Sequence, residues 1–566
     1  PVLKAHASFP LLKASTEGPG LMAEKAPGPP EAGPQAPGRP EAWAFQEARA
    51  RGRRLLIFAS GSRGDVQPTA ALSLALRQAG FVVKLLTNVN HVEFLRSLDL
   101  DAEGVNTDTE ASLRDDPLIR ELMANGAPSD PKRFGEKMIE LNKKTFPEVL
   151  ARKIKETQDY RPDVILAAAL DSFDASAIAC VQGVPMICVP LQLGYPSRDF
   201  QTTLMRKGRC FPHLTIGTIL SHGWWSMEYQ SKKPELVKQL PASEEFLPAN
   251  EREWMLAVFH PMTPIVVGFS PSLYSVARDW SEDVKDRVNI AGFWTIPREA
   301  QETKLVSGDP SFGGDDRARL EAFLAQDDTP VYVGWGSMVA VSAEYMTCLA
   351  VRALKQAGLR GIVLGGVAGL EVSLLDGQVD AEALAAYAEK RVLFVRTAPH
   401  EWLFPQCAAI THHGGAGTTA AAIRSGMPSV VTPCAFDQFD NARLVAVKGG
   451  GIELKHISKV KAEELAKALK RCTSDKQLIN SSRKLGERLR AEDGLGAAVR
   501  AVDDFIVEEL DTGAWQARFD DRREELRELR AQPKRCCSGA RWLGRMWCSG
   551  RPNEYALHTQ SRKLPT

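Results

Sequence analysis

Short runs of consecutive apolar residues alternate with stretches of helical periodicity over most of the chain. The first apolar run covers residues 55–59 and is followed by the loop Gly61-Ser62-Arg63-Gly64-Asp65. A helical stretch over 66–79 and a second apolar run over 81–86 come next. Strands that are apolar on both faces are typical of parallel sheets covered by helices. The pattern therefore predicts a βαβ unit at the start of the folded region.

The alternation continues and then begins again further along the chain. Apolar runs at 163–167 and 186–189 flank a helical stretch at 172–182 and extend the first unit. The second series of predicted strands and helix lies at 331–335, 343–357, 361–364, 391–395 and 429–433. Such units build doubly wound sheets, so we expect an α/β protein with two Rossmann-like domains facing each other across a cleft. Ligands bind outside the carboxyl ends of such strands, which makes the cleft the expected active site.

Composition shifts along the chain predict five segments. Residues 1–52 are rich in Pro, Gly and Ala and are expected to be a disordered leader. The first Rossmann-like domain covers 53–296, and a Gly-, Asp- and Ser-rich linker covers 297–317. The second domain covers 318–510 and is closed by its C-terminal helices. Residues 511–566 are expected to hold a charged helix with a solvated face, followed by a tail without assigned fold.

Charge and composition narrow the class of protein. The 566 residues carry a net charge of +1, with 44% hydrophobic and 25% charged residues, as in ordinary globular proteins. The near-zero charge argues against a nucleic-acid partner. No apolar run reaches the length of a membrane span, and the ten cysteines form no CxxC pair. We therefore expect a cytoplasmic protein, with peripheral membrane contact as an option that depends on its substrate.

The most informative segment is HHGGAGTT at 412–419, which follows an apolar run and opens an alanine-rich helix. A helix N-terminus presents free backbone N–H groups to an anion. Gly414, Gly415 and Gly417 would let the backbone approach a ligand closely. The imidazole of His413 could donate a hydrogen bond to a phosphate oxygen. The segment therefore indicates a phosphate-binding loop.

A carboxylate and an amide follow the next predicted strand, at Asp437 and Gln438. Carboxyl ends of parallel strands share one edge of a sheet, so this pair is expected beside the glycine loop. Both side chains accept hydrogen bonds from hydroxyl groups and would suit a sugar. Alone, the pair would be interpreted as a helix cap and a turn residue. After the phosphate loop, it favours a sugar nucleotide as ligand.

Five motifs in order resemble the UDP-glycosyltransferase family, with the sterol 3-beta-glucosyltransferases and their bacterial antibiotic-glycosylating relatives as the nearest subgroup. The motifs are GSRGDVQP at 61–68, GWGSM at 334–338, PHEWLFP at 399–405, the loop 412–419, and Asp437-Gln438. The resemblance covers roughly residues 53–505. It implies a GT-B fold and inverting transfer of glucose from UDP-glucose to a lipid hydroxyl, with no metal and no other cofactor.

The resemblance also implies roles for individual residues. Asp65 corresponds to the aspartate proposed as the base, within the acceptor-side loop Gly61, Ser62, Arg63 and Gly64. The donor-binding residues would be Gly336, Ser337, His400, His413, Gly415, Gly417, Thr418, Asp437 and Gln438. The chain departs from the family at Asn88, at Trp335, at 439–441 and at 191–195. The last of these segments faces the acceptor, so another hydrophobic acceptor, such as a polyketide or a glycolipid, stays open.

Simpler interpretations exist for several of these residues. Asp65 could cap the helix that follows it, with or without acting as a base. His412 and His413 could bind a metal, but no third ligand stands at a suitable spacing. Arg63 could lie on the surface or steer a phosphate. Asp99-Leu100-Asp101 resembles a metal-binding DxD motif, yet it follows a helix and is interpreted as a solvated loop.

Three further functional hypotheses stay open at this stage. The chain could bind a sugar nucleotide without catalysis, although the presence of Asp65, Ser337 and Asp437 argues against this. Epimerisation of the sugar nucleotide has less support, because the first half carries the acceptor-type loop. Membrane contact would involve the aromatic region 195–265, in which Trp224 and Trp225 could pack internally or contact lipid.

Overall fold

The computed structural model describes residues 46–531, except for 127–130, 193–206, 209–210, 216–228, 248–261, 279, 281 and 327. The described strands are β1 Arg54–Ala59, β2 Val82–Asn88, β3 Asp101–Asn106, β4 Val164–Ala167, β5 Met186–Cys188, β6 Lys207–Gly208, β7 Phe211–Thr215, β8 Ile265–Val267, β9 Val288–Ile290, β10 Val331–Val333, β11 Gly361–Leu364, β12 Val392–Val395, β13 Ile410–His412, β14 Ser429–Val431 and β15 Gly451–Glu453.

Helices cover both sheets. Their bounds are α1 Arg63–Gln78, α2 Val92–Ser97, α3 Thr109–Asp115, α4 Pro117–Asn125, α5 Pro131–Tyr160, α6 Ser172–Gln182, α7 229–239, α8 Glu282–Arg287, α9 Arg298–Val306, α10 Arg317–Leu324, α11 Ala343–Ala357, α12 Ala381–Arg391, α13 His400–Leu403, α14 Ala416–Ser425, α15 Gln438–Val447, α16 Ala462–Ser474, α17 Lys476–Arg490, α18 Gly494–Phe505 and α19 Ala514–Ala531. None of the helices in the described ranges is long and apolar enough to cross a membrane.

The two large sheets confirm the predicted α/β architecture. The first has the order β3-β2-β1-β4-β5-β8-β9 and the second the order β12-β11-β10-β13-β14-β15, and the pairs in both are parallel. The strand order reverses between β1 and β4 and between β10 and β13. Loops that leave a sheet at such a reversal form its usual binding crevice. The glycine-containing loops after β1, β10 and β13 therefore stand where a ligand would bind.

The two sheets also share a hydrophobic core. Ile265, Val267 and Phe269, on and after β8, are in one buried cluster with Ala420 of α14 and Leu444 of α15. Burial of about 25 cal/mol per Å² of apolar surface makes such a shared cluster a substantial contribution to the relative placement of the sheets. The cleft between the two sheets is thus bounded by packed elements on its closed side.

Two local predictions differ from the structure for identifiable reasons. Helix α1 begins at Arg63 rather than 66, because the Asp65 side chain binds the residue that precedes the helix. Asp99 and Asp101 are solvent-exposed as predicted, but the expected loop is only a tight turn at Asp99, with φ 59°, and strand β3 begins at Asp101. That strand lies at the edge of its sheet and has a polar sequence, so it lacks the apolar signal of a central strand.

The expected leader and linker are partly ordered. Residues 46–52 lie against α18, where Ala50 donates its backbone N–H to Asp503 at 2.8 Å. The linker 297–317 contains helix α9, and Phe312 in it is 2% exposed. A backbone hydrogen bond therefore holds the end of the predicted disordered leader, and a helix and a buried aromatic side chain order the predicted linker. The exact limits of the predicted domains stay predictions.

The C-terminal helices α18 and α19 pack against the first sheet, which the sequence did not predict. Helix α18 was expected to close the second domain, but Val502 and Phe505 belong to the core of the first sheet. Helix α19 has the predicted solvated face, but its opposite side is anchored by Trp515 and Phe519, which are buried and stack with ring centroids 5.1 Å apart. Charged positions dominate α19, and its two aromatic anchors are too few to give a clear helical pattern.

Some sequence hypotheses lie outside the described residues. These are the leader up to residue 45, the tail from residue 532, and most of the aromatic region 195–265, including Trp224 and Trp225.

Candidate active site

The loop after β1 is folded around the carboxylate of Asp65. Oδ2 of Asp65 accepts hydrogen bonds from the backbone N–H and the hydroxyl of Ser62, both at 2.8 Å. Gly61 has a φ of 131°, and a Cβ at this position would lie 2.6 Å from Oδ2. Only glycine therefore fits here. Asp65 is therefore not the N-cap residue that the sequence suggested: Ser62 is the N-cap, and Asp65 completes a capping box from the third helical position through one carboxylate oxygen.

Residues at and just after the ends of β2 and β4 hold this loop in place. The side chain of Asn88 accepts from Gly61 N at 2.9 Å, and Nε2 of His91 lies 3.1 Å from Gly61 O. Oδ2 of Asp171 accepts from the backbone N–H and the hydroxyl of Ser60 at 2.8 and 2.7 Å. Burial raises the pKa of Asp65, and the bonds from Ser62 oppose that shift. A carboxyl group with a raised pKa is better suited to take up a proton.

Behind the loop lies a buried ion network. Nζ of Lys153 is 2.7 Å from a carboxylate oxygen of Asp171 and 2.7 Å from one of Asp174. All three side chains are at most 3% exposed. Because Asp171 also binds Ser60, the network connects helix α5 to the loop that carries Asp65.

Arg63 does not occupy the open surface position that the sequence allows, and a role in steering a phosphate stays a prediction. Its guanidinium lies 3.3 Å from the ring centroid of Phe94 and donates to Gln67 and to Ser311 O. Burial lowers its pKa to about 10. Arg63 therefore packs beneath the segment that connects the two sheets, instead of lying in open solvent.

The imidazole of His413 lies between two glycine residues of the second sheet. A Cβ on Gly415 would be 2.4 Å from its Nε2, and a Cβ on Gly336 would be 3.0 Å from its Cε1. Its Nδ1 is buried without a hydrogen-bond partner. Burial lowers the pKa of His413 to about 4, so the ring is neutral near pH 7 and carries one N–H donor. An unpartnered nitrogen in this position fits a ligand contact.

Helix α14 begins at the glycine loop, with Gly415 as its N-cap residue. Gly415, Gly417 and Thr418 are partly exposed there, whereas Thr419 is buried. The first N–H groups of a helix have no partner within the helix, and they carry the positive end of its dipole. The start of α14 therefore has the strand, glycine loop and helix order that the sequence predicted, and anion binding there stays a prediction.

The other residues of the predicted donor site lie close by. His400 stacks on Phe404 with ring centroids 4.4 Å apart, and its Nε2 is 3.3 Å from the hydroxyl of Tyr332. Its pKa is lowered to about 3, first by burial and then by Arg63 and His413. Ser337 is buried directly after Gly336.

His412 has a structural role in this loop. It is fully buried, and its Nδ1 accepts from Gly414 N at 3.1 Å. No group of three His, Cys, Asp or Glu side chains suited to a metal ion occurs in the part of the chain that the structure describes.

The carboxylate of Asp437 accepts hydrogen bonds from both sides of the cleft. Its Oδ2 accepts from Nδ2 of Asn441 at 2.9 Å and from Nε2 of Gln192, which comes from the first sheet. Asn441 also donates to Gly414 O at 2.8 Å and so joins Asp437 to the glycine loop. The pKa of Asp437 is raised to about 7, first by burial and then by the charge of Asp65. The two carboxylates therefore interact across the cleft.

Gln438 is engaged by its own loop. Its Oε1 accepts from the backbone N–H groups of Cys434 and Ala435 at 2.8 and 3.0 Å. Its Nε2 donates to Sδ of Met338 at 3.2 Å. In this arrangement Gln438 shapes the loop before Asp437, and a sugar contact would require it to exchange these bonds.

The two glycine loops meet at the mouth of the cleft. A Cβ on Gly417 would lie 3.0 Å from Gly64 O, so the start of α14 contacts the loop of Asp65. The structure thus brings together the predicted base loop, the anion site and Asp437. Five supporting residues were not predicted, namely Lys153, Asp171, His91, Asn441 and Gln192. Only Asn441 had a local signal, because it stands one helical turn after Asp437.

Comparison with known proteins supports the sequence resemblance. Residues 375–494 match the C-terminal domain of erythromycin biosynthesis protein CIII-like proteins. The sterol 3-beta-glucosyltransferase UGT80B1 of Arabidopsis thaliana is 25% identical over 496 residues, which are 86% of this chain and 74% of that protein. The sterol 3-beta-glucosyltransferase of Debaryomyces hansenii is 27% identical over 453 residues, or 78% of this chain. This chain spans only 26% of that fungal protein.

Two solved structures share the fold. The calicheamicin glycosyltransferase CalG4 aligns with a TM-score of 0.55 and 14% identity, over 81% of this chain and 99% of that one. The glycotransferase of kitacinnamycin aligns with a TM-score of 0.52 and 17% identity, over 80% of this chain and 98% of that one. At these identities the likeness concerns the fold of the two facing Rossmann-like domains.

Proposed function

We propose that this chain, a glycosyltransferase with the GT-B fold, moves glucose from UDP-glucose to the hydroxyl group of a sterol or a similar lipid, with inversion at the anomeric carbon. One observation carries the proposal. The loop of Asp65, the start of α14 and the carboxylate of Asp437 meet in one cleft between two sheets. A proton acceptor, an anion site and a hydroxyl acceptor are the three elements that the reaction needs.

The donor would lie on the second sheet. Its diphosphate would bind the free N–H groups at the start of α14, next to His413 and Gly336. Its glucose hydroxyls would bind the carboxylate of Asp437, which the bond from Asn441 keeps beside Gly414. In this arrangement the anomeric carbon would lie between the two carboxylates.

The chemistry is one displacement. Asp65 would take the proton of the acceptor hydroxyl as its oxygen attacks the anomeric carbon from the side opposite to UDP. The bond between that carbon and the diphosphate oxygen breaks, and UDP leaves with the electron pair. The N–H groups of α14 and the neutral imidazole of His413 would stabilise the charge that develops on the leaving oxygen, as preorganised donors do. Such donors need no metal ion, so we expect the rate to be insensitive to a chelator.

The acceptor is the least constrained part of the proposal. The sterol relatives favour a sterol, whereas the segment after β5 departs from their motif at Leu191 and Gln192. A polyketide or a glycolipid acceptor would use the same donor site and the same base.

The test is UDP release from UDP-glucose, measured with and without sterol in detergent, with the product identified by mass. We expect sterol-dependent release and a sterol hexoside. Release that depends on another lipid would keep the donor site and replace the acceptor. Binding of UDP-glucose without release in the presence of any acceptor would replace the enzyme by a sugar-nucleotide-binding protein. Release of an epimerised sugar nucleotide would overturn glycosyl transfer itself.

A further inference from the structure

The carboxylate of Asp437 receives two amide donors on the same oxygen, one from each side of the cleft. Asn441 donates to Oδ2 from one turn along helix α15, within the same domain. Gln192 donates to Oδ2 from the residue pair that follows β5 in the first sheet. Neither bond involves Oδ1. The carboxylate is thus held through Oδ2, and Oδ1 takes part in neither of these two hydrogen bonds.

The segment that carries Gln192 is anchored rather than loosely placed. The side chain of Leu191 packs against the core of the first sheet. A Cβ added to Gly268 would lie 3.0 Å from Cδ2 of Leu191, which shows how tightly this side chain is enclosed. With Leu191 held inward, the next side chain reaches across the cleft to Asp437.

The hydrogen bond from Gln192 counteracts the effect of the surroundings on the protonation of Asp437. Burial and the facing charge of Asp65 both favour the protonated carboxyl and raise its pKa to about 7. A protonated carboxyl has lost part of its capacity to accept from sugar hydroxyls. The N–H of Gln192 opposes this shift, because a hydrogen bond to the charged form favours that form. Asn441 adds a second donor at the same oxygen.

We propose that Gln192 is a cross-cleft positioning residue, which completes the sugar-binding carboxylate of Asp437 when the two domains close and so links donor recognition to closure. This inference rests on the proposed function, because it concerns the same donor site. Asn441 travels with Asp437 in any domain arrangement, whereas the bond from Gln192 exists only when the first sheet lies against the second. The closed cleft should therefore bind the sugar of the donor more tightly than the open cleft does.

Gln192 should affect the binding of the sugar and not the binding of the nucleotide. UDP has the diphosphate but no glucose, so its affinity should not depend on Gln192. A hydrogen bond to a charged group accounts for about tenfold to a hundredfold in a binding constant. In Gln192→Leu, we therefore expect UDP-glucose to bind about tenfold or more weakly and UDP to bind as in the wild type. Gln192→Asn, which keeps the amide on a shorter stem, should recover part of the loss.

The pH dependence provides a signature that a loss of packing would not produce. UDP-glucose affinity in the wild type should rise as pH increases through about 7, because Asp437 then loses its proton. Without the donor from Gln192, the same rise should be displaced to higher pH. The matched control is Gln239→Leu in the same domain, where Nε2 donates to Pro147 O and Glu235 away from the cleft. This control should change neither the affinity nor the pH midpoint.

The experiment is calorimetric titration of the full chain with UDP-glucose and with UDP across this pH range, with thermal melting to check folding. Selective loss of UDP-glucose affinity with an upward shift of the midpoint supports the inference. Equal affinities and midpoints in wild type and Gln192→Leu overturn it and leave the proposed function intact. Equal losses for UDP and UDP-glucose overturn it as well, because they mean that Gln192 supports the fold. If the wild type binds UDP-glucose no more tightly than UDP, the proposed function fails, and this inference fails with it.

Discussion

Single residues in the cleft have structural contacts beside the chemical roles that we propose for them. Asp65 closes its own loop through one oxygen and faces the second domain with a pKa that burial raises. His413 is enclosed by Gly336 and Gly415, so its ring can hardly turn away from the anion site. Residues with such restricted positions require little reorganisation when a substrate binds.

At Asp65 we predict that Asp65→Asn lowers the turnover number by at least about a hundredfold while UDP binding stays close to that of the wild type. Loss of a general base typically reduces the rate by about a hundredfold to ten-thousandfold. The amide of the variant keeps an oxygen that can accept from Ser62, so the loop should stay folded. Turnover and calorimetric UDP affinity are the measurements. A parallel loss of both would make Asp65 a structural residue only.

At Asp437 the raised pKa predicts a pH dependence of donor use. Below a pH of about 7 the group is protonated, so kcat/KM for UDP-glucose should fall by up to about tenfold per pH unit. In Asp437→Asn, kcat/KM for UDP-glucose should be low, and it should no longer change with pH near 7.

The same pKa predicts an effect on stability with the opposite sign. The folded protein holds the proton of Asp437 more tightly than the unfolded chain, so the contribution is present at low pH and is lost as pH rises through about 7. Asp437→Asn should therefore be more stable than the wild type above pH 7, by denaturant titration, and the difference should shrink toward acidic pH. A constant difference at all pH values would contradict the assignment.

Buried polar side chains, as well as apolar contacts, fix the positions of helices relative to the loops of the cleft. Helix α5 reaches the loop of Asp65 through Lys153, Asp171 and Ser60. Helix α15 reaches the glycine loop through Asn441. These links run between elements that are distant in sequence, and they fix the loops relative to the sheets that carry them.

For α5 we predict that Lys153→Met destabilises the protein by about 3–5 kcal/mol, because the buried Asp171 would lose the ammonium group beside it and the buried Asp174 would keep only Lys232, at 3.3 Å. The free energy of unfolding in urea is the measurement. Lys155→Met is the matched control on the same helix, since Lys155 pairs with Asp159 at the surface. Similar losses in both variants would show that the buried network adds nothing specific.

The molecule as a whole is held together across its two sheets. A shared apolar cluster joins β8 to helices α14 and α15, and helices α18 and α19 return to the first sheet after the second is complete. The cleft therefore has one packed side, and on the other its loops come into contact at Gly64 and Gly417. In the proposed mechanism, closure at this point would bring the carboxylates of Asp65 and Asp437 within reach of one substrate.

For closure we predict that Gly417→Ala lowers kcat/KM by about tenfold to a hundredfold, because the new Cβ would lie 3.0 Å from Gly64 O and keep the loops apart. Alanine is favoured over glycine in a helix by about 1 kcal/mol, so the melting temperature should not fall. Gly135→Ala in α5 is the matched control, since a Cβ there would meet nothing within 4 Å. Unchanged kinetics in Gly417→Ala would mean that this contact is not part of the active arrangement.

The sequence by itself determined the two series of strands and helices, because apolar runs and periodicity are local properties of the chain. It also indicated the glycine loop with His413 and the pair that begins with Asp437, because both lie in the connections after predicted strands. Three assignments needed the tertiary structure. They are the return of α18 and α19 to the first sheet, the polar edge strand β3, and the helix within the expected linker.

The tertiary structure alone decided which groups act together in the cleft. Arg63 stacks on Phe94, Gln438 turns into its own loop, and Gln192 joins Asp437 from a position 245 residues earlier. Contacts over such separations leave no periodic signal in the sequence, since they depend on how two sheets face each other. For the same reason, the raised pKa of Asp437 follows from burial and from Asp65, which only the closed cleft brings near.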